Sequence, residues 1–489
     1  MRIVSAASEM TPFAKTGGLA DVAGALPAVL AGRGHRVTAF LPKYGAIDAE
    51  KYALARRPEG IEVPLGDRTE AACLWETHSE GVRVILIDHE RFYDREGLYQ
   101  EHGEDYPDNA ERFIFFSRGM LEAVRVLNWK PDVIHCHDWQ SSLIPAYLKT
   151  VYGRDLFFAD IASVLTIHNL GYQGLFPADV FPLTGLPDPL FTLDGMEFWG
   201  RVNFLKAGLV CADLLSTVSR TYSQEIQTAE FGCGLQDLPR RRAADLYGVL
   251  NGVDYHEWNP RADPYLVAAY SADDLTGKAA CKVDIQEIMG LPTRAELPLV
   301  GVISRLVDQK GIDLIAGVGE DLLRLDLQMV LLGTGDVKLE RRLQELQRKF
   351  PTKLAVRIGL DVAMSHKIEA GADIFLMPSR YEPCGLTQMY SLAYGTIPVV
   401  RDTGGLGDTI TPFDPAARTG NGFTFRQAGT EDLLQAVREA LTLFHRKELW
   451  KCLMQNAMAC HFSWEHAARE YEWLYGLARG RALSRRDDR

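Results

Sequence analysis

The eight cysteines include no CxxC pair, which suits reduced thiols in a cytosol rather than a disulfide framework. No apolar run approaches the length of a membrane span. No glycine loop follows the dinucleotide pattern GxGxxG, so a nicotinamide cofactor is not indicated. Basic residues are in deficit, 53 Lys and Arg against 65 Asp and Glu, for a net charge of −12. A polyanion would be repelled at long range, so no nucleic-acid partner is expected. A small anion held in a local basic pocket is compatible with that balance. Met1-Arg-Ile-Val-Ser-Ala-Ala reads as a short strand with Glu9 close behind, not as a signal peptide. A cytoplasmic protein with no membrane partner is therefore expected.

The composition, 47% hydrophobic and 24% charged, is that of an ordinary globular protein, and 489 residues are too many for one core. Ile3 to Ala7 reads as a strand that enters a loop containing Lys15-Thr-Gly-Gly, with a helix and a second strand, Arg36 to Leu41, behind it. That is the opening unit of a Rossmann-like domain. Further strands are expected at Glu62–Val63 and Arg83–Ile87, then a polar and aromatic surface loop from Asp88 to Asp108 and a helix from Asn109 to Leu127. Strands ending in polar residues recur at His135-Cys-His-Asp138, at Thr166-Ile-His-Asn169, at Leu214–Ser219 and at Val249–Asp254. Turn signals at Asn251-Gly and Asn259-Pro place a domain boundary near residue 258, giving domains 1–258 and 259–489.

The second half restarts the alternation. Leu297 to Ile303 is an apolar strand, and Arg305 and Lys310 flank the loop to the next helix. Two cations at one helix start suit a diphosphate, the arginine as a fork and the lysine as a compact charge. Later, Ala372–Met377 reads as a buried strand and Leu386–Ala393 as a helix. Arg380 to Gly385 is then a strand-to-helix loop, where ligands bind in doubly wound sheets. Glu382 would repel a phosphate there, so it suits sugar hydroxyls, or else serves only as an acid at a helix N-terminus. Asp402-Thr-Gly-Gly-Leu-Gly-Asp408 nearly copies Thr16-Gly-Gly-Leu-Ala-Asp21. Leu433 to Ala467 reads as helical, a closing helix at about 465–477 is expected to return to the first domain, and the tail from Arg479 is expected to fray. The fold class is α/β, two Rossmann-like doubly wound domains facing a central cleft.

Lys15–Val22, His135–Trp139, Thr166–Gly174, Ser304–Gly311 and Glu382–Thr387, taken in that order along the chain, resemble the bacterial glycogen synthase and plant starch synthase family. The resemblance covers essentially the whole chain. It implies a type B (GT-B) glycosyltransferase that moves glucose from ADP-glucose to the non-reducing 4-hydroxyl of glycogen or another α-1,4-glucan. It further implies retention of anomeric configuration, no cofactor and no metal. By position, Lys15, Arg305 and Lys310 resemble a diphosphate clamp. Glu382 resembles the residue facing the donor glucose, His168 the one beside the reacting sugar, and Asp138 a supporting carboxylate. Gly17, Gly18, Leu360, Cys384, Gly385, Leu386 and Thr387 fall on the donor side. Glu9, Tyr99 and Asn169 fall on the acceptor side.

Three positions depart from the family pattern. Tyr390 stands where many type B transferases carry a second acid. Asp237 replaces a usual glycine. Gly359-Leu360 replaces a Gly-Tyr whose ring could stack on the base. Other readings are a UDP-glucose transferase of the same fold, a sugar-nucleotide epimerase, and a metal-dependent hydrolase on His135, His137 and Asp138. A glycan phosphorylase lacks its pyridoxal-lysine motif here. A non-catalytic glucan binder leaves the cations Arg305 and Lys310 unexplained.

Overall fold

A computed structural model describes residues 1–101 and 103–487. His102 and the last two residues, parts of the expected surface loop and frayed tail, lie outside the described residues. The chain forms two compact units. One comprises Met1–Val218, Ser223–Leu250 and Trp464–Arg489; the other comprises Ser219–Tyr222 and Asn251–Ser463. Among the described residues no helix is long and apolar enough to cross a membrane.

The first unit is built on a nine-stranded sheet. Its spatial order is Leu246–Gly248, Leu214–Thr217, Ala162–Ile167, Val133–His137, Arg2–Ala6, Arg36–Pro42, Val82–Asp88, Arg68–Ser79 and Ala55–Leu65. All pairings are parallel except the last two. The parallel strands are buried on both faces and read as apolar runs, as at Ile3-Val4 and Val133-Ile134. The order reverses at Arg2–Ala6, which lies between the second strand of the chain and Val133–His137. Loops leaving those two strands therefore part company, and a crevice opens at their carboxyl ends.

The antiparallel edge corrects the sequence reading, which found only Glu62–Val63 and missed Arg68–Ser79. Gly66 (φ 63°) turns a hairpin there. The consecutive Ala71-Ala-Cys-Leu-Trp75 blurs the alternation that marks a half-buried strand. The expected loop from Asp88 to Asp108 is also more ordered than a surface loop. Glu90–Tyr93 is a helical turn with Phe92 and Tyr93 fully buried, and Gln100–Glu101 pairs with Glu104–Asp105.

The second unit holds a six-stranded parallel sheet in the order Leu354–Ile358, Gln328–Gly333, Leu299–Ile303, Ile374–Met377, Ile397–Arg401, Phe423–Phe425. Its switch point lies between Leu299–Ile303 and Ile374–Met377. Those are the strands that feed the loops carrying Lys310 and Glu382. The expected continuous helix from Leu433 to Ala467 is instead Thr430–Phe444 and Lys447–Ala459. Beyond Ala459 the chain leaves the helix, and there the Phe462 carbonyl accepts the Val253 amide and Ser463 bridges Val253.

The last helix, Trp464–Asp487, belongs to the first unit and packs on Gly18–Gly32 and on Ala162–Ile167. Arg33 forks onto Glu472 (2.8 and 2.9 Å) and also reaches Glu465 (3.0 Å). The described part of the tail, from Arg479 to Asp487, is helical and does not fray as expected. Ala482 is fully buried, and Arg481 and Arg485 are ion-paired to Asp245 and Asp213.

Candidate active site

In the first unit the chain leaves Ala6 and reverses through a glycine loop before the helix Gly18–Gly32. Glu9 shapes that loop. It is buried, and its carboxylate accepts the Thr16 amide (2.5 Å), the Thr16 hydroxyl (2.7 Å), the Gly17 amide (3.3 Å) and the Tyr99 hydroxyl (2.7 Å). Tyr99 and Ser8 share a further hydroxyl contact of 2.6 Å. Nothing within 4 Å would meet a side chain at Gly17, so the backbone there is open to a ligand. Lys15 does not stand as a lone charge; its ammonium is 2.6 Å from Asp21 on the first helical turn, with 54% of the side chain exposed.

Beside it, Val133–His137 ends in Asp138, held at φ 54°. The Asp138 Oδ1 accepts the His168 amide (2.7 Å) and, at longer range, the Asn169 amide (3.4 Å), tying two strand ends together. Asn169 uses its own Oδ1 to cap the Gly171 amide (2.9 Å). The histidines form a run of contacts. Tyr475 OH meets His135 Nδ1 (2.8 Å), and His135 Nε2 meets Thr166 Oγ1 (2.6 Å). His137 Nε2 meets Ser5 Oγ (3.2 Å), and its Nδ1 meets His168 Nε2 (3.0 Å). Burial holds His135 and His168 down to about 3 and His137 well below its ordinary value, so all three are neutral at pH 7. Among the described residues no group of three or more His, Cys, Asp or Glu is placed to hold a metal ion.

Burial also raises the Asp138 carboxyl to about 7, against the pull of its two amide donors. The folded state then keeps a proton that the unfolded state releases between pH 4 and 7, so stability falls across that window and the penalty is full above it. Asp138→Asn is expected to gain on wild type by roughly 4 kcal/mol between pH 4 and 8 in urea unfolding of this unit. A difference that does not vary with pH would show that Asp138 is ionised throughout.

In the second unit, Glu382 is 5% exposed, and its Oε2 takes Lys310 Nζ (2.5 Å) and Ser379 Oγ (3.0 Å). The loop around it is clasped from three sides. Arg380 forks onto Asp313 (2.6 and 2.7 Å), its amide donates to the Gln309 carbonyl, and its carbonyl accepts Arg401. Gln388 Nε2 donates to the Cys384 and Gly385 carbonyls, both at 3.0 Å. Glycines let the backbones nest. A Cβ at Gly404 would lie 2.0 Å from the Glu382 carbonyl oxygen, and one at Gly405 would lie 2.0 Å from that of Cys384. Gly385 (φ 71°) turns the chain into Leu386 and the helix Thr387–Ala393. The Cys384 thiol is buried and pushed up to about 12, so it is inert. Arg305 is exposed in the loop after Ile303.

The departures acquire physical accounts. Tyr390 stacks on Trp258 (3.9 Å, 3°), whose ring also stacks on His366 (3.9 Å, 7°). His366 in turn meets Asp263 at 2.7 Å. Asp237 has ordinary helical backbone and pairs with Arg240, so glycine is not required. Leu360 is 89% exposed beyond Gly359 (φ 133°).

Residues 2–241 match the family model for the starch synthase catalytic domain, and residues 286–451 match that for glycosyl transferases group 1. The glycogen synthase of Koribacter versatilis is 50% identical over 98% of both chains. The chain belongs to the glycogen synthase family. That of Thermosipho africanus is 45% identical over 98% of this chain and 99% of its own. The solved catalytic domain of starch synthase IV from Arabidopsis thaliana, bound to ADP and acarbose, is 35% identical with a TM-score of 0.91, covering 98% of this chain and 99% of its own. The sucrose-phosphate synthase structure from Thermosynechococcus elongatus, 17% identical at a TM-score of 0.60 and covering 97% of this chain and 98% of its own, shares the fold. As a member of this family the chain is a hexosyltransferase with two α/β domains of the GT-B type.

Sequence reasoning gave no site role of their own to Tyr475, Thr166, Ser379 or Gly405, although Thr166 and Gly405 lie within stretches that it singled out. The glycine pair at 404–405 with a third glycine at 407 was visible as a near copy of the loop at 16–21, and that is the local signal for Gly405. Nothing local marks Tyr475, which is 340 residues from its partner.

Proposed function

We propose that this hexosyltransferase takes glucose from ADP-glucose and adds it, with retention, to the 4-hydroxyl at the non-reducing end of an α-1,4-glucan, without a metal. The observation that carries this reading is the Lys310–Glu382 pair at the end of the second unit's central strands. It couples a cation suited to a leaving diphosphate with a buried carboxylate suited to sugar hydroxyls. The starch synthase relative bound to ADP and acarbose supports the same nucleotide and a glucan-like ligand.

In this reading Arg305, Lys310 and Lys15 meet the diphosphate, Lys15 exchanging Asp21 for it. Gly385, Leu386 and Thr387 offer backbone and hydroxyl donors to the donor, with Cys384 as their buried support and Gly17 and Gly18 as an open backbone approach. Glu382 fixes the glucose through its hydroxyls. His168 is neutral, spends Nε2 on His137 and presents Nδ1, which suits a hydroxyl rather than a phosphate. Asp138 holds the His168 and Asn169 backbone in place. Glu9 and Tyr99 shape the acceptor side through the glycine loop. The cytoplasm is the proposed location.

The test is nucleotide release from ADP-glucose or UDP-glucose with glycogen, with and without EDTA. ADP release that depends on glycogen and persists in EDTA is expected. Loss of activity in EDTA restored by one metal, or a preference for UDP-glucose, would overturn the corresponding part.

Leu360 tests the nucleotide pocket. An aromatic ring adds roughly 0.5–1.5 kcal/mol beyond area alone. Leu360→Tyr is therefore expected to tighten ADP a few-fold to about tenfold with kcat nearly unchanged, because base binding is uniform between ground and transition states. Unchanged ADP affinity in a calorimetric titration would place Leu360 away from the base.

A further inference from the structure

A second charged hollow lies in the first unit, at the opposite end of its sheet from Asp138 and His168. Asp213 and Asp245 directly precede the strands Leu214–Thr217 and Leu246–Gly248, so the hollow sits at the amino ends of parallel strands. It measures about 570 Å³ and gathers Lys149, Arg242, Arg481 and Arg485 around those two carboxylates. That size suits a small metabolite.

The carboxylates are already occupied. Asp213 Oδ2 accepts the Ser163 amide (2.8 Å) and hydroxyl (3.0 Å), and Arg485 lies 2.9 Å from Oδ1 and 3.1 Å from Oδ2. Asp245 accepts Arg242 (3.0 and 3.2 Å) and Arg481 (2.5 Å). Arg242 and Arg481 spend further donors on the Leu209 and Asp213 carbonyls. Among the described residues four cations thus face two anions. The surplus is visible there as donors without acceptors: among the described residues Arg485 Nε is buried with no hydrogen-bond partner, and no hydrogen bond joins Lys149 Nζ to any of them. Burial lowers the Lys149 ammonium from its ordinary value, and Arg485 and Arg242 push the same way against the attraction of Asp213 and Cys211.

We propose that this hollow binds the phosphate of a small phosphorylated metabolite, with Lys149 and Arg485 as its principal donors. A dianionic phosphomonoester neutralises the surplus of two charges and supplies acceptors to both groups, which a neutral sugar cannot do. Ala212 and Leu477 line the remaining wall and leave room for a small organic portion. The site is independent of the donor-side clamp.

The experiment is calorimetric titration of the full chain with ribose 5-phosphate, inorganic phosphate and ribose, at low and moderate salt. Lys149→Ala is the informative variant because among the described residues it removes no side-chain hydrogen bond; Lys149→Arg restores the charge. Expected are one site for ribose 5-phosphate, weaker binding of phosphate, none of ribose, and affinity reduced about tenfold in Lys149→Ala but kept in Lys149→Arg. Lys310→Ala should leave this site intact. Absence of binding, or binding lost in Lys310→Ala and untouched in Lys149→Ala, would overturn the proposal and assign the phosphate to the clamp.

Discussion

Lys310→Ala is expected to lower kcat about a hundredfold while leaving the KM for glycogen within about twofold. The diphosphate gains charge as the glycosidic bond breaks, so a cation meeting it contributes more in the transition state than in the ground state. One preorganised contact of this kind contributes roughly 3 kcal/mol. Lys310 also neutralises Glu382 at 2.5 Å, and alanine would leave that buried carboxylate with Ser379 alone of the two side-chain donors to its Oε2. The double variant Lys310→Ala/Glu382→Gln separates the two contributions. If Lys310 meets the diphosphate directly, the double variant stays at or below the activity of Lys310→Ala. Recovery of kcat in the double variant, or near-wild-type kcat in Lys310→Ala, would show that Lys310 serves only to hold Glu382.

Gly405→Ala is expected to cost still more. Its methyl would fall 2.0 Å from the Cys384 carbonyl oxygen and 2.5 Å from both the carbonyl carbon and the Cα. Those are backbone atoms of the Glu382 loop, which is fastened to Gln309, Asp313, Arg401 and Gln388, so no side chain can swing away. Overpacking costs about 1–3 kcal/mol even where a core can adjust. A shift of the loop by about 1 Å would by itself reduce turnover on the order of a hundredfold. A lower melting temperature is expected together with a fall in kcat/KM of at least a hundredfold. Gly407→Ala is the control. Its methyl would meet only the Asp402 side-chain oxygen closely, at 2.6 Å, and that group can rotate. Activity in Gly405→Ala equal to that in Gly407→Ala would mean that the loop need not occupy its present place.

Much of the architecture could be read from local pattern because parallel strands buried on both faces announce themselves as apolar runs, and glycines mark the strand-to-helix turns. The loops at 15–18, 305–311 and 380–385 were visible for that reason. The hairpin strand Arg68–Ser79 was not, since apolar neighbours erase its alternation. Site chemistry was legible as residue type but not as pairing. Lys15 and Lys310 read as charges awaiting a ligand, whereas the fold gives each a carboxylate, Asp21 and Glu382. Glu9 read as a residue facing the acceptor, and the fold spends its oxygens on Thr16, Gly17 and Tyr99. Tyr390 could be seen to replace an acid, but its stack on Trp258 depends on a contact across 132 positions of sequence, which no local window contains.

The return of Trp464–Asp487 to the first unit sets an order of events during synthesis. Its last segment is separated from the two before it by Asn251–Ser463, 213 residues of the second unit. At about 5–20 residues per second, the ribosome spends on the order of ten to forty seconds making that insert. Throughout that interval His135 is without the Tyr475 hydroxyl, and Arg33 and His35 are without Glu472. A nascent chain stalled before residue 464 therefore carries a second unit able to complete its sheet and a first unit with an uncovered seam, a natural point for a chaperone to hold and a protease to cut.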